Sequence, residues 1–258
     1  MELMHQMTPH LKRLRLSGVL ETLEARNQQA IDGRWTYVEF LSRLVEDEVE
    51  RRAQRQLGLR IRRAGVSTAK TLESFNFDFN PIINRQQILS LATCSYIRQK
   101  RNALICGPTG VGKTHLAQAL AHEACRRGYI VLFVNTYRML QHINGGRADD
   151  TFERRLQTYL RPDLLVLDDF GLKPLRSPAP EDLYDVINGR YEQGSILLTS
   201  NRALDEWASL FGDPLLASAG LDRLTHRADV VLITGASYRA QRPACQEQGE
   251  PIDLSDPS

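Results

Sequence analysis

The stretch 107-GPTGVGKT-114 lies between an apolar run, 102-NALIC-106, and a helix-patterned run, 115-HLAQALAHEAC-125. It fits G-x-x-x-x-G-K-[ST] in full and sits where that pattern works, after a strand and at the opening of a helix. Each position has a separate physical use. Gly107, Gly110 and Gly112 let main-chain N–H groups converge on phosphate oxygens with no Cβ in the way. The following helix turns its positive N-terminal end toward the same anion. Lys113 adds a point charge for the β- and γ-phosphates, and Thr114 offers a hydroxyl to Mg2+. With Pro108, Thr109 and Val111 completing the loop, the segment predicts a P-loop that takes ATP with Mg2+.

Working outward, the pattern from about residue 86 alternates helices with short β-rich runs: Ala103–Cys106, Ile130–Val134, Leu164–Leu167, Ile196–Thr199 and Val230–Ile233. Each pair is far enough apart for a crossover helix, which predicts an α/β fold with a parallel five-stranded sheet covered on both faces. The third run, 164-LLVLDDFG-171, ends in two adjacent carboxylates. Buried strands rarely end so unless a cation sits there. Asp168 is the candidate for the Mg2+ shell, and Asp169 for orienting or polarising the attacking water. The fourth run, 196-ILLTSN-201, ends in small polar residues, and Asn201 could reach the γ-phosphate or the water; a plain turn has the same signature.

Upstream, residues 1–66 read as a small all-helical domain. Leu11, Leu14, Leu16, Val19, Leu20 and Leu23 recur at roughly helical spacing, and Ile31-Asp32-Gly33 ends that helix. Thr36-x-x-Glu39 reads as a capping box opening the next, which runs through Phe40, Leu41, Leu44, Val45 and Val49, with Gly58 a candidate interruption. Residues 67–85, with Pro81 and the aromatic cluster Phe75, Phe77 and Phe79, read as a packed linker; the aromatics are either core or a platform for adenine. The ATP-binding domain then occupies 86–240. The final stretch, 241–258, contains three prolines among polar residues and reads as a disordered tail.

Composition narrows the setting. A net charge of +2 means that any nucleic-acid affinity must come from local clusters. The basic residues are 28 Arg against 5 Lys, which suits phosphate recognition but also follows from a GC-rich genome. Cys94, Cys106, Cys125 and Cys245 show no metal-ligand spacing and read as reduced, unpaired thiols of a cytoplasmic protein. No secretory signal or membrane-length apolar run is present.

P-loop, Asp-Asp strand and polar strand, in this order, resemble the AAA+ superfamily. The stretches GPTGVGKTHLAQALAHEACRRGY, LLVLDDFGLKPL, EDLYDVINGRYEQGSILLTSNR and GLDRLTHRADVVLITGASYR resemble more closely the IstB-like ATPases, helper subunits of two-gene bacterial insertion sequences. The DnaC helicase loaders and DnaA initiators are similar at greater distance. The resemblance implies an ATPase that assembles on double-stranded DNA as a ring, spiral or filament, regulates a cognate transposase and helps choose its target. It also implies that Asn201 holds the sensor-1 position. Arg223, in LDRLTH, holds the arginine-finger position that reaches a neighbouring subunit's ATP, and Arg239, in SYR, is a further phosphate-sensing residue. Where the superfamily commonly has Glu after the first acid, this chain has Asp169, one methylene shorter, which points to slow turnover. A DnaC-like helicase loader is the alternative reading; it differs in what residues 1–66 grip. A small-molecule kinase would need an Arg-bearing lid that the sequence lacks.

Two patches are candidates for DNA. Arg51, Arg52, Arg55, Arg60, Arg62 and Arg63 follow one another with no acid between Arg51 and Arg63. The segment 136-TYRMLQHINGGR-147 follows the second strand, where DnaA-like relatives place a DNA-facing insertion; Tyr137, Arg138 and Arg147 are its candidate contacts. For both patches a solvated helix face is the competing explanation.

Overall fold

The computed structural model describes residues 2–235, 237 and 238, with side chains from Gln6 onward. The expected tail, Cys245 and Arg239 lie outside the described residues.

Three helices come first: α1 (Glu2–Arg13), α2 (Ser17–Gly33) and α3 (Tyr37–Ala64). The single helix expected across Leu11–Leu23 is broken, because Arg15 adopts a left-handed conformation with φ of 56°. The break has a packing cause. Leu11, Val19, Leu23 and Leu44 are buried together while Leu14 is left exposed, and one straight helix could not fold α1 back onto that cluster. The residue before α2 is Leu16, which has no side-chain oxygen to cap it. Instead Glu48, reaching from α3 and only 5% exposed, accepts from Gly18 N at 2.6 Å and Val19 N at 3.4 Å. A carboxylate at a helix N-terminus satisfies free N–H groups and complements the helix dipole. Arg26 adds a two-point bond to Asp47, at 2.8 and 2.6 Å, across the same helix pair.

The capping box is present: Thr36 Oγ1 accepts from Glu39 N at 3.3 Å, and Thr36 N donates to Glu39 Oε2 at 2.7 Å. Gly58 does not interrupt α3, which continues to a left-handed cap at Gly65. Its last turns carry Ile61 and Ala64 into the core of the sheet, and Arg60 donates to the Cys125 carbonyl at 2.9 Å.

After α4 (Arg85–Ala92) and α5 (Ser95–Arg98) the α/β portion begins. Its elements are β1 (Ala103–Cys106), α6 (Lys113–Arg126), β2 (Val131–Asn135), α7 (Thr136–Gly145), α8 (Phe152–Leu160), β3 (Leu164–Phe170), α9 (Ala179–Arg190), β4 (Ser195–Ser200), α10 (Ala208–Phe211), α11 (Pro214–Thr225) and β5 (Asp229–Leu232). The five strands pair in parallel in the order β2-β3-β4-β1-β5. Alternation along β3 divides the core: Leu164 and Val166 pack with Leu116 and Leu120 of α6, while Leu165 and Leu167 pack with Met139 of α7 and Val186 of α9. At the foot of the sheet Arg190, 1% exposed, donates to the carbonyls of Tyr159, Leu160, Asp163 and Ser195 at 2.8 to 3.2 Å. Burial pushes its guanidinium down to about 10. Among the described residues no helix is long and apolar enough to cross a membrane. Cys94, Cys106 and Cys125 are free and buried, and burial pushes each thiol up to about 11.

The Arg26–Asp47 bond gives the helical region an acid sensitivity. The hydrogen bond from Arg26 pulls the Asp47 carboxyl from 3.8 down to about 2. A depressed carboxylate contributes stability that is complete above its unfolded value and is lost as pH falls through its folded value. Asp47→Asn should therefore cost on the order of 1 kcal/mol at pH 5, after solvent screening. Melting followed by circular dichroism should show mutant and wild type converging as pH falls from 4 toward about 2. A gap that stays constant over that range would contradict the assignment.

Candidate nucleotide site

The loop between β1 and α6 is held by its neighbours as well as by its own turns. Gly107 N donates to the Ser200 carbonyl at 3.1 Å, and Ile233 N donates to the Cys106 carbonyl at 2.8 Å. Tyr238 N donates to the Gly110 carbonyl at 3.0 Å, so the chain after β5 lies across the loop. That closeness is why glycine is required at two positions. A Cβ on Gly107 would stand 2.0 Å from the Ile233 carbonyl oxygen, and one on Gly110 would stand 2.0 Å from Ser237 Oγ. Both also have positive φ, 155° and 87°.

Lys113 and Thr114 open α6. Lys113 is 6% exposed and donates to the Pro108 carbonyl at 2.7 Å, which keeps the ammonium beneath the loop. Thr114 Oγ1 donates to Asp168 Oδ1 at 3.0 Å, and Thr199 Oγ1 donates to the same oxygen at 2.6 Å. Asp168, 7% exposed at the end of β3, therefore gathers hydroxyls from α6 and β4. Its own carbonyl accepts from Thr136 Oγ1 at 2.9 Å. No group of three or more metal-binding side chains exists among the described residues. One carboxylate beside one threonine hydroxyl still fits Mg2+, which is commonly held by one or two carboxylates, water and substrate phosphate.

Asp169 owes its position to an irregularity. In the register of β3 with β4, Leu167 faces Leu198 and Phe170 faces Ser200, so Asp168 and Asp169 together face Thr199. The extra residue is a β-bulge, a common device for re-aiming a side chain. Asp169 takes φ of 56°, rare for a residue with a Cβ. Its N–H donates to Thr199 Oγ1 at 3.1 Å, and its Oδ2 accepts from Asn135 Nδ2 at 3.2 Å. Asn135, at the end of β2, also caps α7: its Oδ1 accepts from Tyr137 N at 3.1 Å and Arg138 N at 3.4 Å.

The loop and Asp169 border one cavity of about 500 Å3, lined by Thr109–Thr114, Asp169, Asn201, Phe75, Phe79 and Tyr238, among others. The aromatic cluster divides. Phe77 packs on the core, Phe75 does so while also lining the cavity, and Phe79 meets Tyr238 edge-on with ring centres 4.7 Å apart. His115 joins the linker to α6: its Nε2 lies 3.3 Å from both Ser74 Oγ and the Thr71 carbonyl oxygen, and burial holds its imidazole below the usual range.

The structure thus brings Lys113, Thr114, Asp168, Asp169 and Asn201 to one edge of the sheet. Arg223 is elsewhere, at the end of α11, lining a separate cavity of about 200 Å3 with Asn102 and Ile196 at the starts of β1 and β4. The basic candidates also separate. Arg51 pairs with Glu21, Arg52 bonds Glu48 at 2.6 Å, and Arg60 is held by Cys125. Arg147 bonds the fully buried Asp182 at 2.9 and 2.6 Å, and its guanidinium lies 4.3 Å from the Phe152 ring centre. Its fork neutralises a buried carboxylate between α7 and α9, which is a reason to set it apart from the other basic candidates. Arg55, Arg62, Arg63 and Arg138 stand exposed without ion pairs among the described residues, as does the Tyr137 ring beside Lys173. Sequence reasoning missed Thr199 and Asn135. Only Asn135 left a local signal, a polar cap residue between a strand and a helix.

A family model described as "IstB-like ATP binding protein" matches residues 9–245. A protein named as ATP-binding in an insertion sequence of Mycobacterium tuberculosis is 40% identical over 233 residues, covering 90% of this chain and 93% of that protein. The corresponding protein of insertion sequence IS21 from Pseudomonas aeruginosa is 36% identical over 236 residues, covering 92% and 89%. Among solved structures, the replication initiator DnaA bound to AMPPCP and single-stranded DNA superposes with a TM-score of 0.54 at 24% identity, covering 66% of this chain and 51% of that one. That likeness establishes the fold alone, an α/β core built on a parallel sheet.

Gly107→Ala separates the loop's packing role from phosphate binding. With no nucleotide added, it should destabilise the protein by roughly 2 kcal/mol or more, through overpacking and backbone strain. Chemical denaturation checks this, and unchanged stability would mean that glycine there serves only the ligand.

Proposed function

This chain belongs to the IstB-like ATP-binding proteins, and from that membership we propose that it hydrolyses ATP with Mg2+ while assembled on double-stranded DNA, as the helper of an insertion-sequence transposase. The observation that carries the reading is the convergence of Thr114, Thr199 and Asp169 around Asp168 beneath a complete P-loop. The loop amides and Lys113 bind the triphosphate, and Phe75 and Phe79 flank its base. Thr114 and Asp168 hold the metal, which when bound neutralises charge on the transferred phosphoryl group. Asp169 orients the water from a position fixed by the bulge and by Asn135, with Asn201 lining the same cavity. Asp169 is one methylene shorter than Glu, and a misplacement of about 1 Å can cost on the order of 10²-fold in rate. Turnover is therefore slow.

Arg223 lines a different cavity from the P-loop, which supports its action on the nucleotide of a second copy. Arg223→Ala should leave ATP affinity within about twofold and lower DNA-stimulated turnover by about 10³-fold or more, the low end of arginine-finger effects. Steady-state hydrolysis beside equilibrium nucleotide binding checks this; wild-type turnover in the mutant would contradict it.

For DNA, the exposed Tyr137 and Arg138 on α7 and Arg55, Arg62 and Arg63 on α3 support phosphate contact that tolerates sequence. Asn135 joins Asp169 to the α7 N-terminus that carries Tyr137 and Arg138, so DNA contact and water positioning share one side chain. Replacing Arg138, Arg62 and Arg63 together should reduce the salt dependence of DNA binding by about one unit of slope for each phosphate left unneutralised. A salt titration by fluorescence anisotropy measures it, and an unchanged slope would exclude these residues.

A further inference from the structure

Arg223 is held in an unusual way. Its guanidinium carbon lies 5.6 Å from the centre of the Tyr184 ring and 6.0 Å from that of Tyr191. One donor goes to the Ala219 carbonyl at 2.8 Å, within its own helix, and no carboxylate pairs with it among the described residues. Stacking against aromatic faces stabilises a cation through the ring quadrupole and consumes none of its N–H donors. The rest of the fork stays free for an oxyanion, the ligand its geometry fits best.

Tyr191 is itself fixed. Its hydroxyl lies 3.1 Å from His226 Nδ1, and it directly follows Arg190, whose guanidinium is bonded to four main-chain carbonyls. Lys100 and Arg227 line the same cavity, as does Arg101, which pairs with Asp229 at 3.3 Å, and Glu192 is the one acid among its described lining residues. This cationic surround raises the local attraction for phosphate.

We propose that Tyr191, with Tyr184, is a positioning residue for Arg223: the two rings hold the guanidinium in place while keeping its donors uncommitted, for a phosphate oxygen of the nucleotide bound by a second copy. The inference rests on the reading that Arg223 acts between copies. A flexible arginine must lose side-chain freedom to meet a phosphate, and two rings that already restrict it remove part of that cost.

The test uses the full-length protein assembled on DNA. Tyr191→Leu should lower kcat about tenfold or more, with KM and ATP affinity within about twofold, while Tyr191→Phe, which keeps the ring, should stay within about threefold of wild type. Mixing supplies a readout that fold damage would not give. Lys113→Ala subunits have a crippled nucleotide site but an intact Arg223, so adding them to Tyr191→Leu subunits should restore turnover at the Tyr191→Leu sites. Wild-type turnover in Tyr191→Leu, or a loss that mixing does not restore, overturns the proposal. The same mixture with Arg223→Ala tests the underlying reading: no restoration there means Arg223 does not act between copies. Restoration there beside a fully active Tyr191→Leu sinks the positioning role alone. If Tyr191→Leu fails to bind ATP, Tyr184→Leu is read by the same criteria.

Discussion

One carboxylate oxygen organises the nucleotide edge. Asp168 Oδ1 receives the Thr114 hydroxyl from α6 and the Thr199 hydroxyl from β4, while the Asp168 carbonyl takes the Thr136 hydroxyl from α7. A nearly buried carboxylate is costly unless donors surround it, and here the donors come from the ends of the elements that must be aligned. Satisfying that charge therefore fixes the P-loop helix against the central strands. It also places Thr199 where the same hydroxyl takes the Asp169 N–H, so the bulge that presents Asp169 depends on the same knot. The carboxylate proposed to hold the cation is thus also a joint of the sheet.

The sheet then separates two sets of functional groups. The P-loop, the Asp168–Asp169 pair and Asn201 lie at the C-terminal ends of β1, β3 and β4, where open α/β sheets place their ligands. Arg223 and Tyr191 lie near the N-terminal ends of β1 and β4, beside the buried Arg190. One chain therefore holds Arg223 and the P-loop cavity apart, as the proposed action between copies requires. The long α3 links this core to the helical N-terminus, since its first turns pack on α2 and its last turns enter the core of the sheet.

Legibility in the sequence followed locality. The P-loop, the Asp-Asp strand and all five strands were readable because each is a contiguous run whose chemistry or periodicity is local. The capping box at Thr36 was readable for the same reason. The break at Arg15 was not, because it is imposed by burial of Leu11 and Val19 against Leu44 on a later helix. Arg147 was a candidate DNA contact in the sequence, which could not show its bond to Asp182, thirty-five positions away. Thr199 was hidden inside an apolar strand, and Tyr191 carries no motif; both gain meaning only from partners brought close by the fold. The phosphate-loop glycines were recognised for the ligand they admit, while their closeness to Ile233 and Ser237 came only with the structure.

The most direct measurement is the Mg2+ dependence of ATP affinity, by calorimetric titration of wild type and Asp168→Asn with and without the metal. If Asp168 and Thr114 hold the ion against the triphosphate, Mg2+ should tighten binding to wild type by about tenfold or more, and Asp168→Asn should lose that gain while still binding ATP without metal. Equal affinity with and without Mg2+ in the wild type, or an undiminished gain in Asp168→Asn, would contradict the account.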